Sequence, residues 1–178
     1  MKQYTNLIRN ITLFKSLSED EIISKLKDGS FKLVSYMKDN VLHFDGERCI
    51  NFELILSGKI SINRIDESGN LLNIADFFSG DILGGNLLFS ENPQYPYTVS
   101  AKKQSIILVI NKDVLLKMLS NNLAFLKIYL EHISDNATAL GGKLKYYANK
   151  SIREKINSYI EHESKRQNSN HIILPITK

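Results

Sequence analysis

Two adjacent glycines and a tyrosine-rich segment about ten residues later carry the most specific chemistry in this 178-residue sequence. Gly84-Gly85-Asn86 offers backbone amides with little side chain around them, ahead of the apolar run Leu87-Leu88-Phe89. Amides presented at the start of a helical turn make a seat for an anion. Tyr95, Pro96, Tyr97 and Thr98 follow, with rings suited to line a pocket for a flat organic acid, and Lys102 and Lys103 could add charge. The opposing reading closes the same space from within, with Leu87, Leu88 and Phe89 filling it.

Catalytic and metal chemistry find little support. His43, His132, His162 and His171 are scattered, without the paired spacing of a metal site. Cys49 is the only cysteine, so neither an internal disulfide nor an iron–sulfur cluster can form, and a plain buried thiol is favoured over a thiol switch. A cupin-like metalloenzyme would need several histidines converging in the β region, where only His43 falls. The expectation is a protein that is not an enzyme, with no cofactor and no metal.

The bulk properties agree. No run of 18 apolar residues predicts a membrane span, and the N-terminus lacks a signal-peptide core, so a cytoplasmic location is expected. Residues 1–100 carry 10 Lys+Arg against 13 Asp+Glu, whereas residues 101–178 carry 13 against 6. A basic C-terminal part fits an anionic partner at that end, or equally a solvated lysine-rich helical face.

The elements that must position these residues are legible as a change of period. Ser18-Glu19-Asp20-Glu21 is a capping box opening a helix that ends near Asp28-Gly29, after a shorter amphipathic stretch over Leu7, Ile8, Ile11 and Phe14. From Phe31 to Ile110, short β-branched and aromatic runs alternate with turn residues such as Asp39-Asn40, Asp45-Gly46, Ser57-Gly58, 66–70 and Ser79-Gly80-Asp81. Strands at such spacing predict an antiparallel barrel or sandwich. Asp113 to Leu119 reads as a short helix. Leu123, Leu126, Leu130, Ile133, Ala137, Leu140, Leu144 and Tyr147 then alternate spacings of three and four. That seam predicts a long helix pairing with a second copy, the alternative being a helix packed on its own β domain. Gly141-Gly142 weakens the helix within it. Asn149-Lys150 breaks the pattern, Ser151-Ile152-Arg153-Glu154 opens another helix, and His171-Ile172-Ile173-Leu174 reads as a short strand.

In this order the pieces resemble the Crp/Fnr family of transcription regulators. Leu54-Ile55-Leu56-Ser57-Gly58-Lys59-Ile60 is similar to its strand–turn–strand signature, with Gly58 at a turn that a side chain would obstruct. Residues 77–85, Phe-Phe-Ser-Gly-Asp-Ile-Leu-Gly-Gly, resemble the approach to its phosphate-binding cassette, and Thr98-Val99-Ser100-Ala101 the strand after it. Residues 151–156 resemble the helix leading to the DNA domain, and residues 173–178 the entry to a winged helix-turn-helix. The resemblance implies a mainly β fold with flanking helices: an antiparallel jelly-roll β-barrel of the cyclic-nucleotide-binding type, followed by a long dimerisation helix. It divides the chain into a sensor with N-terminal helices over residues 1–120, a dimerisation helix over 121–148, and a connecting helix with the start of the DNA-reading domain over 149–178. The implied partners are a second copy of the chain, DNA through a C-terminal domain absent from this sequence, RNA polymerase in the longer protein and a small organic effector. A cut at the domain border is favoured over a natural end, which would instead leave a stand-alone ligand-binding module acting on another protein.

The resemblance also implies what is missing. Cyclic-nucleotide binders of the family use Gly-Glu to open the cassette, the Glu holding the ribose hydroxyl, and an Arg about ten residues on to neutralise the phosphate. Gly84 matches the glycine, Gly85 stands in place of the acid, and the segment Asn92-Pro93-Gln94-Tyr95-Pro96-Tyr97 stands in place of the Arg. A buried phosphate without a cation is costly, so response to cyclic AMP or cyclic GMP is not expected.

Overall fold

A computed structural model describes residues 2–65, 71–148, 152–167 and 171. It divides into two compact units, Met1–Ile133 and Ser134–Lys178.

The first unit opens with helix α1 (Lys2–Arg9), a 3-10 turn (Thr12–Phe14) and helix α2 (Glu19–Lys27). The capping box forms as read: the Ser18 hydroxyl accepts from the Glu21 amide, and the Ser18 amide donates back to Glu21 Oε2 at 2.7 Å. Eight strands follow: β1 (Phe31–Tyr36), β2 (Val41–His43), β3 (Asn51–Ser57), β4 (Lys59–Ile65), β5 (Leu71–Phe78), β6 (Ile82–Leu83), β7 (Thr98–Ala101) and β8 (Ser105–Asn111). Helices α3 (Lys112–Asn121) and α4 (Leu123–Ala148) come next, and α5 (Ile152–Gln167) lies in the second unit.

The expected closed barrel does not form. The strands make two antiparallel four-stranded sheets, ordered β1-β8-β3-β6 and β2-β7-β4-β5. A barrel requires every strand to pair on both sides. Here β1, β6, β2 and β5 each pair on one side only, and β6 and β2 are two and three residues long, too short to bridge one sheet to the other. The architecture is a jelly-roll sandwich with flanking helices.

Its core is aromatic at the helical side. Phe14 is fully buried, with its ring centroid 5.7 Å from Phe31, 6.5 Å from Phe52 and 5.7 Å from Phe125. One side chain thus joins the N-terminal turn, β1, β3 and α4. The β3–β4 turn needs its glycine: Gly58 has φ +102°, and a Cβ there would collide with Ser105 Oγ and the Gln104 carbonyl.

On α4 the core-facing stripe is Phe125 and Tyr129, with Leu126, Ile128 and Ile133 half-buried beside it. Of the seam residues, Leu123 and Leu130 are 79% and 55% exposed and Ala137 is exposed. Leu140, Leu144 and Tyr147 lie on the same helix, their side chains outside the described residues. The turn at 66–70, the break at Asn149-Lys150, the cap at Ser151 and the segment 172–178 also fall outside them.

Candidate functional site

The site is assembled where β2, β3 and the segment before β7 meet. Strand β2 carries a register shift: Val41 pairs with Ser100, but His43 pairs with the adjacent Val99. A bulge of this kind re-aims a side chain, and while Val41 is exposed, His43 points inward and is buried. Strand β3 runs through the middle of its sheet with Phe52, Leu54, Ile55 and Leu56 all buried, and within that apolar run Glu53 is only 3% exposed. A buried carboxylate requires partners. Glu53 Oε2 stands 2.8 Å from His43 Nε2, and the other ring nitrogen, Nδ1, stands 3.0 Å from Glu47 Oε1. Glu47 Oε2 is itself fixed by the Phe44 amide at 2.9 Å.

Tyr95 closes the group from the other side. It is 4% exposed, and its ring stacks on His43 at 4.1 Å with an 8° interplanar angle. Backbone bonds hold it there: the Tyr95 amide donates to the Glu47 carbonyl, the Gly46 amide donates to the Tyr95 carbonyl, and the Cys49 amide donates to the Pro93 carbonyl. The Tyr95 hydroxyl lies beside the buried Cys49 thiol, whose Sγ donates to the Asn51 carbonyl at 3.5 Å and the Gly84 carbonyl at 3.8 Å. Both side chains meet Gly84, whose φ is +67° and whose missing Cβ would lie 2.8 Å from Cys49 Sγ and 3.0 Å from Tyr95 Oη. The Gly84 carbonyl accepts from the Leu87 and Leu88 amides, starting the turn that sends Leu88 into the core.

The electrostatics set the His43 ring between two carboxyl groups, Glu53 and Glu47. Burial pushes the His43 ring toward neutrality, but the hydrogen bonds and charges of Glu53 and Glu47 outweigh it, and its pKa is raised above 6.5. Burial raises the Tyr95 phenol far above its ordinary value, reinforced by the Glu53 charge. Burial likewise raises the Cys49 thiol, which keeps it from acting as a thiolate nucleophile.

Of the residues singled out in sequence, Gly84 and Tyr95 are brought together, but by direct packing. Gly85 and Thr98 are half-buried, Thr98 within β7 opposite Asn63; Leu87 packs half-buried on the core; Asn86 and Pro96 are exposed and Tyr97 is half-buried. Phe89 is partly exposed beneath the Lys112 ammonium. Lys102 and Lys103 do not reach this region: they sit on the β7–β8 turn packed against Gly58, at the far end of β3 from Cys49 and Gly84. The side chains that meet Gly84 are Cys49 and Tyr95, neither of them cationic. A cleft of about 320 Å³ opens beside Cys49, lined by Arg48, Ile50, Pro93, Asn111, Lys112 and Asp113. Among the described residues, no group of three or more His, Cys, Asp and Glu is placed to hold a metal ion, and no helix is long and apolar enough to cross a membrane.

Sequence reasoning passed over the His43–Glu53 pair. The signal was present: a single acid inside the run Phe52-Glu53-Leu54-Ile55-Leu56 must be either misassigned or paired.

A two-sheet jelly roll with helices before and after it, and a glycine-led turn between β6 and β7, places the chain among the jelly-roll domains. Residues 33–122 match the cyclic nucleotide-binding domain family. The Anaerobic regulatory protein of Bacillus subtilis (strain 168) is 29% identical over 108 residues, which are 61% of this chain and 45% of that protein, so the match spans less than half of the relative's length. A transcriptional regulator from Thermotoga maritima superposes with a TM-score of 0.64 at 23% identity, covering 72% of this chain and 98% of its own. The sensor domain of the transcriptional regulator DNR from Pseudomonas aeruginosa gives 0.64 at 20% identity, covering 85% and 97%. At these identities the solved structures establish the fold. The chain belongs to the cyclic nucleotide-binding domain family, and its relatives are transcription regulators of the Crp/Fnr type.

Proposed function

We propose that this chain is the effector-sensing and dimerisation portion of a DNA-binding regulator of the Crp/Fnr type, and that it does not respond to cyclic AMP or cyclic GMP. The observation that carries the second part is Tyr95. It occupies the segment where a phosphate-neutralising Arg would stand, buried on His43 with its hydroxyl against the Gly84 backbone. A cyclic phosphate would have to displace that ring, and the His43 ring beneath it is already paired with Glu53 and Glu47. An effector, where one acts, is a small organic acid seated between Arg48 and Lys112 in the cleft beside Cys49, with Asp113 on its rim.

Dimerisation uses the exposed side of α4, with Leu123, Leu130 and Ala137 at its described end. By continuity of the seam, Leu140, Leu144 and Tyr147 belong to the same interface, whereas Leu126 and Ile133 pack half-buried on the core. In the longer protein, DNA and RNA polymerase are contacted through parts outside this chain, in the cytoplasm.

The test is a thermal-shift and calorimetric screen of the 178-residue chain against cyclic AMP, cyclic GMP and small aliphatic and aromatic acids. Ligand at about 100-fold excess over Kd adds about 2.7 kcal/mol of stability. No shift with either cyclic nucleotide is expected, and a saturable one overturns the proposal.

A further inference from the structure

Both nitrogens of the His43 ring face carboxylates, Glu53 at 2.8 Å and Glu47 at 3.0 Å. A neutral imidazole has one N–H and serves one of them; its other nitrogen would then present a lone pair to a second lone pair. With both carboxyls ionised, only the imidazolium satisfies both contacts. The groups facing it are few. Its own loop brings Glu47, β3 brings Glu53, and the segment before β7 brings the stacked Tyr95 with Cys49 behind it. Strand β1 brings Tyr36, whose phenol is raised by burial and by the charges of Glu53 and Glu47. Strand β7, paired with β2, carries no titratable side chain.

This cation stands at the base of a short mechanical chain. His43 stacks on Tyr95, and the Tyr95 hydroxyl rests against Cys49 and the Gly84 backbone. The Gly84 carbonyl in turn anchors the turn through the Leu87 and Leu88 amides.

We propose that Glu47, His43 and Glu53 form a proton-operated latch on the cassette, holding Tyr95 against Gly84 while His43 is protonated and releasing it when the proton leaves. The latch rests on the reading that the cassette is filled by the chain's own side chains. Its direction follows from linkage. The folded state holds the His43 proton more tightly than the unfolded chain, so the latch is engaged near neutral pH and lost as pH rises through the folded value, which lies above 6.5.

The test is nuclear magnetic resonance of the labelled 178-residue chain between about pH 5.5 and 9, the range in which histidine titrates. The His43 Cε1 resonance and the amides of Gly84, Leu88 and Tyr95 are expected to move with one common midpoint above 6.5. In His43→Gln the step should vanish from the three amides. In Glu47→Gln, a change at a half-exposed side chain that leaves the buried pair intact, the His43 midpoint should fall and the three amides should follow it. The latch is overturned by a His43 midpoint at or below 6.5, by amides that stay still while His43 titrates, or by a step that survives in His43→Gln. Should His43→Gln not fold, matched movement in Glu47→Gln decides alone. Cyclic AMP added near pH 6 separates the two ideas. A saturable shift of the Gly84 and Leu88 amides removes the filled cassette and the latch together, whereas no shift with still amides removes the latch alone.

Discussion

Replacing His43 by Leu isolates the most consequential contact in the site. The substitution keeps an apolar body beside Tyr95 but leaves the Glu53 carboxylate, 3% exposed, without its cation. Breaking a buried ion pair from one side costs about 3–5 kcal/mol. An escape limits that loss, because a stranded carboxylate takes up a proton. From the ordinary value of about 4.3 for a glutamate in an unfolded chain, protonation at pH 7 costs about 3.7 kcal/mol, and near pH 5 about 1 kcal/mol. Urea unfolding should therefore show His43→Leu losing about 3–4 kcal/mol at pH 7 and about 1 kcal/mol near pH 5. The sign follows from proton counting. Above the unfolded value the folded variant holds a proton that the unfolded chain has released, so its stability falls as pH rises. The double variant His43→Leu/Glu53→Leu removes the stranded charge and should recover most of the loss, since an apolar pair of similar volume often substitutes for a buried ion pair without penalty. A loss below about 1 kcal/mol at pH 7, or an equal loss at both pH values, would refute the burial and pairing argument for Glu53.

Other perturbations probe separate links. In the wild-type chain the His43 contribution is present below pH 6.5 and lost as pH rises through its folded value, so the urea midpoint should decline from neutral toward about pH 8.5 and lack that decline in the double variant. Asp76, held at a pKa of about 2 by Lys59 and Ser61, contributes stability above 3.8 that is lost as pH falls toward 2. Because that pair is partly solvated, Asp76→Asn should cost about 1 kcal/mol or less at pH 7 and nothing at pH 2, measured by the same unfolding series. Gly84→Ala should lose about 2–3 kcal/mol in thermal unfolding, from left-handed backbone and from the overlap with Cys49 Sγ and Tyr95 Oη. Leu130→Asp should leave the unit folded and convert a dimer to monomer in light scattering; a dimer that survives it places the interface elsewhere.

Much of the scaffold was legible because its signals are local. The Ser18–Glu21 box, the strand runs and the obstructed turn at Gly58 all depend on neighbours within a few residues, and each forms where its pattern stands. Sheet closure was not legible, because it depends on which strands find partners across the sandwich. Strand β6, two apolar residues between Gly80-Asp81 and Gly84-Gly85, is too short to show any period. The site was half legible. That Gly85 follows Gly84 and that no arginine stands in 92–97 can be read along the chain, but the packing around them cannot: His43, Glu47 and Glu53 come from β2, its following loop and β3, and meet Tyr95 only after a bulge turns His43 inward. On α4 the three-and-four seam was visible, while Phe125 and Tyr129, off the seam, are buried in the core and the seam residues Leu126 and Ile133 pack half-buried beside them.

That division of α4 bears on how a change at the cassette could be felt elsewhere. The turn after Gly84 touches the helix at two points. A Cβ on Gly85 would lie 3.8 Å from Ile133 Cδ1, and the Phe89 ring meets Tyr129 edge-on at 6.4 Å. Tyr129 also packs on Phe52, the neighbour of Glu53 in β3. The same stretch of helix therefore receives the cassette turn and the buried acid's strand on one side, while Leu123 and Leu130 remain open on the other. A packed interior transmits displacement rather than absorbing it. Movement of the turn by even a fraction of a side chain's width must either shift Tyr129 and Ile133 or open a void against them. Those side chains belong to the helix that presents Leu123 and Leu130, so the cassette turn and the exposed residues of the seam share one rigid element.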